Sequence, residues 1–366
     1  MNNDVVLWIV VATALAFDFT NGFHDTANAI ATSISTRAMS PRVAVAMSAS
    51  LNFAGAFISL EVAATIAKGI VDPSFITPAI VFAGLIGAIA WNLTTWYFGL
   101  PSSSSHALIG GVVGATFAAV GSKGVLGDGL VEKVIVPALV APLLAFTAAG
   151  LAIVICYRIV GRQTPGTVSR GFRLGQIISG SMFSLSHGTN DAQKTMGIIF
   201  LALVANGNLA ASADVPVWVI VTAASAIAAG TYVGGWRIIR TMGTRIIKMD
   251  PAQGFAAQAA GAAVILSASH VGFPLSTTHV ISGGIMGAGA AKRVSAVRWG
   301  VAGNIAGAWV LTLPAAAAVG ALTFAVVHVL GERSVGPIMV SVVLLCALLV
   351  AFARRLAAGR TLTAEA

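Results

Sequence analysis

The chain has 366 residues, of which 57% are hydrophobic and only 9% are charged, and its mean hydropathy is +0.91. This composition leaves too little polar surface to cover a soluble globule, so it excludes an ordinary soluble domain and places the chain in a bilayer. The net charge of +9 does not indicate nucleic-acid binding, because the basic residues cluster at the ends of apolar runs, as membrane topology requires.

Apolar runs follow one another along the chain. A hydrocarbon core of about 30 Å is crossed by about 20 apolar residues in a helix, and strands are not expected because backbone amides in lipid must be satisfied internally. We therefore predict an all-α integral membrane protein with about 10–12 transmembrane segments, some of them broken or re-entrant. The runs cover residues 5–20, 43–67, 76–98, 107–121, 134–157, 174–205, 215–236, 254–270, 279–291, 299–329 and 336–353.

Two of these runs contain near-copies of one polar motif. Residues 21–28 read Asn-Gly-Phe-His-Asp-Thr-Ala-Asn, and residues 187–194 read His-Gly-Thr-Asn-Asp-Ala-Gln-Lys. A carboxylate within the membrane is costly, so it normally faces a cavity, an ion or a partner. Because the motif is duplicated and contains glycine, we predict helix breaks there, with Asp25 and Asp191 in a transport site rather than in a purely structural ion pair. Asp18 and Glu61 are further acids in or near spans, and the sequence leaves their roles open.

A second duplicated motif follows each of the first. Residues 99–106 read Gly-Leu-Pro-Ser-Ser-Ser-Ser-His, and residues 272–279 read Gly-Phe-Pro-Leu-Ser-Thr-Thr-His. Each segment is predicted to begin a helix, where free amide groups and the positive dipole end favour an anion. Ordinary N-capping is the alternative for the hydroxyls, but their duplication in one register favours a ligand site. The predicted substrate-binding hydroxyls are Ser103, Ser104, Ser105, Ser276, Thr277 and Thr278.

The spacing of the motifs predicts two inverted repeats. The aspartates are 166 residues apart, and the two motif histidines, His106 and His279, are 173 apart. Each unit then holds about five passages, and an odd number of passages inverts the second copy. The predicted parts are a first repeat (1–160), a cytoplasmic connector (161–173), a second repeat (174–330), and a final helix with a short cytoplasmic tail (331–366).

The distribution of charge predicts the orientation. One face collects 16 of the 21 basic residues, so the positive-inside rule makes that face cytoplasmic. The amino terminus is then outside and the carboxyl terminus inside, in a multi-pass protein of the cytoplasmic (inner) membrane. These basic residues are Arg37, Arg42, Arg158, Arg162, Arg170, Arg173, Arg237, Arg240, Arg245, Lys248, Lys292, Arg293, Arg298, Arg354, Arg355 and Arg360.

The carboxylates allow two roles that the sequence does not separate. Asp25 or Asp191 can accept a hydrogen bond from a P–OH group, whereas deprotonated sulfate would leave the buried charge unpaired. Alternatively, the same carboxylates can hold a coupling cation together with Asn28 and Asn190.

Three other polar residues have a functional and a structural alternative. Lys194 lies one helical turn after Asp191, so it is either a local ion-pair partner or a direct contact of an anion. His106 and His279 can relay protons near neutral pH, or they are hydrogen-bonded structural histidines.

At these residues the chain resembles the PiT family of inorganic phosphate transporters. Residues 22–29 (Gly-Phe-His-Asp-Thr-Ala-Asn-Ala) and 187–197 (His-Gly-Thr-Asn-Asp-Ala-Gln-Lys-Thr-Met-Gly) are similar to the motifs of its bacterial low-affinity branch. The resemblance implies an inverted-repeat symporter that carries phosphate with protons or sodium, in bacteria often as a neutral metal–phosphate complex. His24 replaces the usual Asn, and Gln193-Lys194 replaces Ala-Asn, which tilts the expectation from Na⁺ toward H⁺.

Together these features predict a secondary active transporter that imports inorganic phosphate by cation-coupled symport. We expect no enzymatic activity, no cofactor and no resident metal, although a divalent metal can travel with phosphate. The expected partners are phosphate and membrane lipid, without nucleic acid, and the sequence leaves a homodimer open. The alternatives are a carrier for sulfate or arsenate, a passive channel, and an intramembrane serine hydrolase that uses Ser102–Ser105 with His106 or His279 and an Asp.

Overall fold

The chain folds almost entirely into helices. The computed structural model describes residues 4–364, and within that range it contains no strand, only an isolated bridge between Val71 and Val125. The all-α prediction is therefore confirmed. The helices are α1 (Asp4–Ser35), α2 (Pro41–Gly55), α3 (Glu61–Lys68), α4 (Pro78–Phe98), α5 (Ser104–Val120), α6 (Gly127–Leu130), α7 (Val136–Val160), α8 (Pro165–Ala205), α9 (Val217–Val233), α10 (Trp236–Arg240), α11 (Pro251–His270), α12 (Thr277–Lys292), α13 (Trp299–Leu330) and α14 (Val335–Ala364).

Several helices are long and apolar enough to cross a membrane, so the protein is a multi-pass membrane protein. A broken span joins α9 to α10, which continues to Arg245, with a bend of 60°. Other predicted runs fold as shorter pieces; the run 43–67, for example, is divided between α2 and α3. Within the described residues, the five helices that can span the bilayer are Asp4–Ser35, Pro78–Phe98, Ser104–Gly124, Gly127–Val160 and Trp299–Leu330.

The helices that carry the two aspartates are continuous, so the predicted breaks at these motifs are wrong. Helix α1 runs unbroken through Asp25, and α8 runs unbroken through Asp191. The motif glycines have another purpose, since each allows a neighbouring helix to approach closely. A Cβ atom on Gly22 would lie 2.3 Å from the carbonyl oxygen of Ile227, and one on Gly188 would lie 2.2 Å from that of Asn52.

The two halves of the chain repeat the same packing. Helices α4 and α5 pack against α13, and their counterparts α11 and α12 pack against α7; α1 packs against α9 as α8 packs against α2. The register is the same as well. A Cβ atom on Gly114 would lie 2.1 Å from the oxygen of Ala317, and one on Gly287 would lie 2.0 Å from that of Phe146. Each half is thus completed by a helix of the other.

The join between the halves is shorter than the predicted connector. Helix α7 ends at Val160 and α8 begins at Pro165, a residue suited to the first turn of a helix because it has no amide hydrogen to satisfy. Only residues 161–164 form the turn, and most of the predicted 161–173 connector is helical. Helices α1 and α8 pack directly against each other, which brings the two aspartate motifs together.

Candidate functional site

Asp25 and Asp191 meet between the two halves. They are 2% and 0% exposed, and a carboxylate oxygen of each lies within 4.8 Å of the other and of a ring nitrogen of His187. These three groups are also close enough to hold one metal ion, a site that the motifs did not predict. The two copies of the first motif therefore form one buried site.

Each aspartate has its own cationic or polar partner. For Asp25 the partner is His24, whose Nδ1 lies 2.6 Å from Oδ1 of the carboxylate. Asp191 is held by the Nζ of Lys194, as the spacing of one helical turn predicts, and its Oδ2 lies 3.1 Å from Nε2 of His187. Buried carboxylates require such partners because an isolated charge in a dry interior is costly.

Lys194 links the aspartate motif to the hydroxyl motif. Besides Asp191, its Nζ donates to Oγ of Ser105 at 2.5 Å and to the carbonyl oxygen of Leu275 at 2.8 Å. The ammonium group therefore lies between α8 and the second motifs of both halves. The local ion pair and a position beside a bound anion are compatible in this arrangement.

In each hydroxyl cluster, one side chain caps a helix and the others lie in the site. Ser103 accepts from the backbone N–H of His106 at 3.1 Å, and Ser276 accepts from that of His279 at 3.3 Å, so these two are N-caps. The hydroxyls after the caps lie in the site, where Thr277 and Thr278 reach the aspartates and Ser104 reaches His24. Oγ1 of Thr278 lies 3.5 Å from Oδ1 of Asp25, Oγ1 of Thr277 lies 3.3 Å from Oδ2 of Asp191, and Oγ of Ser104 lies 3.5 Å from Nδ1 of His24.

The two predicted asparagines are not equivalent. Asn28 donates to Oγ1 of Thr278 at 2.8 Å and to Oγ1 of Thr277 at 3.3 Å, which places it in the site. Asn190 donates instead to Ser269 at 2.8 Å and to the carbonyl oxygen of Phe273 at 3.3 Å. Only Asn28 therefore joins the aspartates and hydroxyls.

His106 and His279 lie against each other, with ring centroids 4.8 Å apart, and His279 also stacks on Trp309 at 4.0 Å. In the part of the chain that the structure describes, no hydrogen bond joins either ring to a serine hydroxyl. This geometry does not support the serine–histidine pair of the hydrolase alternative, in which the base must reach the nucleophile.

Sequence reasoning gave no definite role to several residues that the structure brings to the site. His24 connects Asp25 to Oγ1 of Thr95 at 3.1 Å, and Nδ1 of His187 lies 3.2 Å from Oδ1 of Asn52. Thr95 and Asn52 are single polar residues within apolar runs. Their polarity within apolar runs was the available sequence signal, because a buried polar side chain needs a hydrogen-bond partner.

The combined site brings together the kinds of groups that bind a tetrahedral oxyanion. The amide ends of α5 and α12, the hydroxyls and Lys194 supply donors, while Asp25 and Asp191 supply acceptors for a protonated oxygen. The residues converge from both halves, and all of them are buried.

Known proteins resemble this chain over most of its length. The model of the phosphate transporter family matches residues 21–320. A probable low-affinity inorganic phosphate transporter of Mycobacterium tuberculosis (strain ATCC 25618 / H37Rv) is 58% identical over 327 residues, which are 89% of this chain and 78% of that protein. One from Bacillus subtilis (strain 168) is 46% identical over 325 residues, 88% of this chain and 97% of the relative.

A solved structure shares the fold. It is described as the sodium-dependent phosphate transporter, and it matches with a TM-score of 0.77 at 24% identity, over 88% of this chain and 99% of that chain. At this identity the likeness concerns the architecture alone. The family match and the relatives assign the protein more closely: this chain belongs to the PiT family of inorganic phosphate transporters.

Proposed function

We propose that the protein imports inorganic phosphate across the cytoplasmic membrane by cation-coupled symport. The observation that carries this proposal is the meeting of Asp25 and Asp191, one from each half, in a single buried site beside two helix N-termini. The site provides contacts for binding and needs no covalent step, so the protein acts as a carrier and not as an enzyme.

The carboxylates would select phosphate over sulfate. At neutral pH phosphate carries a P–OH hydrogen that Asp25 or Asp191 can accept, whereas sulfate has none. A buried carboxylate that faces sulfate would remain unpaired, and such a mismatch costs about 1–3 kcal/mol or more. Arsenate has the same protonation pattern as phosphate, so this mechanism would admit arsenate.

The motif residues are buried, which favours alternating access. A solute can reach Asp25 or Asp191 only after the surrounding helices move. We propose that the two halves are inverted copies, that they rock around this site, and that the amino terminus is outside and the carboxyl terminus in the cytoplasm. The repeated packing of α4, α5 and α13 and of α11, α12 and α7 supports two matching units.

The coupling ion in this proposal is H⁺ rather than Na⁺. Lys194 occupies the position that corresponds to Asn28, and its ammonium group already neutralises Asp191. A sodium ion between the two carboxylates would be repelled by the positive charge of Lys194. A divalent metal carried with phosphate as part of the substrate would bring the phosphate charge with it, which offsets the repulsion from Lys194, and Asp25 and His187 offer it ligands.

Exposed apolar side chains on α7 suit a lipid-facing surface. Leu139, Leu143, Leu151 and Ile155 are all more than half exposed. We propose that they contact the acyl chains.

Uptake of labelled phosphate into proteoliposomes tests the function. A pH gradient, acidic outside, should drive accumulation that an uncoupler abolishes, while a sodium gradient alone should not. Arsenate should compete, and sulfate should not. Accumulation driven by sodium alone would reject proton coupling, and equal inhibition by sulfate would reject the carboxylate argument. Movement only down the phosphate gradient would indicate a channel.

A further inference from the structure

We propose that Asp18, with Asn21 and Thr195, forms the site that takes up the coupling proton, separate from the residues that contact phosphate. The inference rests on the proton coupling proposed above and assigns that coupling to named groups. Asp18 and Asp25 are seven residues apart on α1, so they lie on one face of the helix, two turns from each other.

The three side chains form a cluster of unsatisfied polar atoms. Asp18 is 0% exposed, and neither of its carboxylate oxygens has a hydrogen-bond partner. Oδ1 of Asn21 and Oγ1 of Thr195 are also buried without a partner, and both side chains interact with Asp18. Buried polar atoms are nearly always paired in proteins, so such a group indicates a missing ligand.

One proton would satisfy the whole cluster. The neutral Asp18 acid could donate its O–H to Oδ1 of Asn21, while the hydroxyl of Thr195 donates to the other carboxyl oxygen. An ionised Asp18 would accept only from the neutral side chains of Asn21 and Thr195, so it would remain a buried charge without an ion-pair partner. A hard divalent cation such as Ca²⁺ fits less well, because it takes about six or more oxygen ligands and this cluster offers four atoms from three side chains.

Asp18 differs from the other buried acids. Of the three buried carboxylates in the described part of the chain, Asp25 and Asp191 have ion-pair partners, and Asp18 has none. The position that corresponds to Asp18 in the second half is Ser184. The repeat therefore supplies two phosphate-binding motifs but only one such acid, which implies one site of this kind in each chain.

The charges around Asp18 explain how a proton would be coupled to an anion. The charged groups that act on it are Asp191 and Lys194 of α8; α4 and α9, which also pack against α1, contain no Asp, Glu, Lys, Arg or His. An ionised Asp18 would attract Lys194 and repel a nearby phosphate. A protonated Asp18 would remove that repulsion, so the proton and phosphate would each favour binding of the other.

The Asp18→Asn variant tests this proposal in the full chain, because asparagine imitates the neutral acid and cannot exchange a proton. In proteoliposomes we expect the accumulation of labelled phosphate that the pH gradient drives to fall to the level seen without a gradient. Exchange of external labelled phosphate for internal phosphate should continue. The Asp25→Asn variant should lose both activities, and Asp214→Asn, at an exposed loop position, should behave as the wild type does.

Accumulation of phosphate by Asp18→Asn at the wild-type level would overturn the proposal. Loss of phosphate exchange together with accumulation would also overturn it.

An infrared spectrum gives a readout that does not need transport. At neutral pH the wild type should show the C=O band of a buried protonated carboxyl group, and Asp18→Asn should lack it. If the wild type shows the band and Asp18→Asn lacks it, but the wild type transports no phosphate, the proposed function fails and the proton site remains. A band that the variant retains contradicts the proton site itself.

Discussion

One difference between the two aspartate motifs breaks the symmetry of the site. Asn28 of the first motif donates to the hydroxyls of α12, whereas Lys194, at the corresponding position, donates to Asp191 and Ser105. The pair of carboxylates is therefore bordered by one amide and one ammonium group. The ammonium contributes the fixed positive charge of the site.

The Lys194→Met variant should destabilise the protein, because it removes the ammonium partner of Asp191 and leaves the buried carboxylate with only His187 and the hydroxyl of Thr277. Loss of one partner of a buried ion pair costs about 3–5 kcal/mol. The thermal unfolding temperature in detergent should fall, and a second change, Asp191→Asn, should restore most of it without restoring phosphate uptake. An unchanged unfolding temperature in Lys194→Met would show that the ion pair does not stabilise the fold.

The Asp25→Asn and Asp191→Asn variants should each nearly abolish phosphate uptake. An amide keeps the size of the side chain but removes the charge that accepts the P–OH hydrogen. Asp25→Asn should still reach the membrane, since asparagine needs no ion-pair partner, whereas Asp191→Asn leaves the buried ammonium of Lys194 without its carboxylate, so its uptake is to be compared per molecule of protein in the membrane. Uptake assays combined with quantification of the protein in membranes check this, and wild-type transport by either variant would remove that residue from the site.

At the scale of elements, the close approach of helices depends on particular glycines. A Cβ atom on Gly287 of α12 would lie 2.0 Å from the backbone oxygen of Phe146 on α7. The Gly287→Ala variant should therefore separate the two helices and lower the unfolding temperature. Gly303 of α13 is a matched control with nothing within 4 Å of its added Cβ. Equal effects of alanine at the two positions would contradict the packing described here.

The sequence could predict the repeat of the fold but not the continuity of the helices that carry the aspartates. The spacing of the two duplicated motifs, 166 residues between the aspartates and 173 between the motif histidines, predicted two matching units. The continuity of α1 and α8 was not predictable from the local motif, because a glycine inside an apolar run is typical of a break and of a close helix contact alike. Only the position of the neighbouring helix distinguishes the two.

At the scale of the whole molecule, the proposed membrane orientation predicts opposite accessibility of two exposed loop positions, one at each end of α8. After replacement of Cys156 and Cys346, single cysteines can be placed at Thr164 and Ser212. A membrane-impermeant thiol reagent should label position 212 in intact cells and position 164 only after permeabilisation. Labelling of both positions from the same side would contradict the orientation proposed for α8.

The sequence identified the main components of the site but not their connections. Duplication indicated Asp25, Asp191 and the two hydroxyl clusters, and spacing along one helix indicated the Lys194–Asp191 pair. His24 finds Thr95 because α4 packs beside α1, and Asn190 points to Ser269 because α11 packs beside α8. Contacts of this kind join segments that are distant in the sequence, so no local pattern predicts them. The capping roles of Ser103 and Ser276 likewise required the observed helix starts.

The location of a bound oxyanion tests the central claim most directly. Crystals of the protein grown with arsenate would reveal the arsenic atom by its anomalous scattering. We predict one peak between Asp25 and Asp191, within hydrogen-bond reach of the hydroxyls at the starts of α5 and α12. A peak that lies away from these residues, or that contacts the motif of only one half, would contradict the shared site.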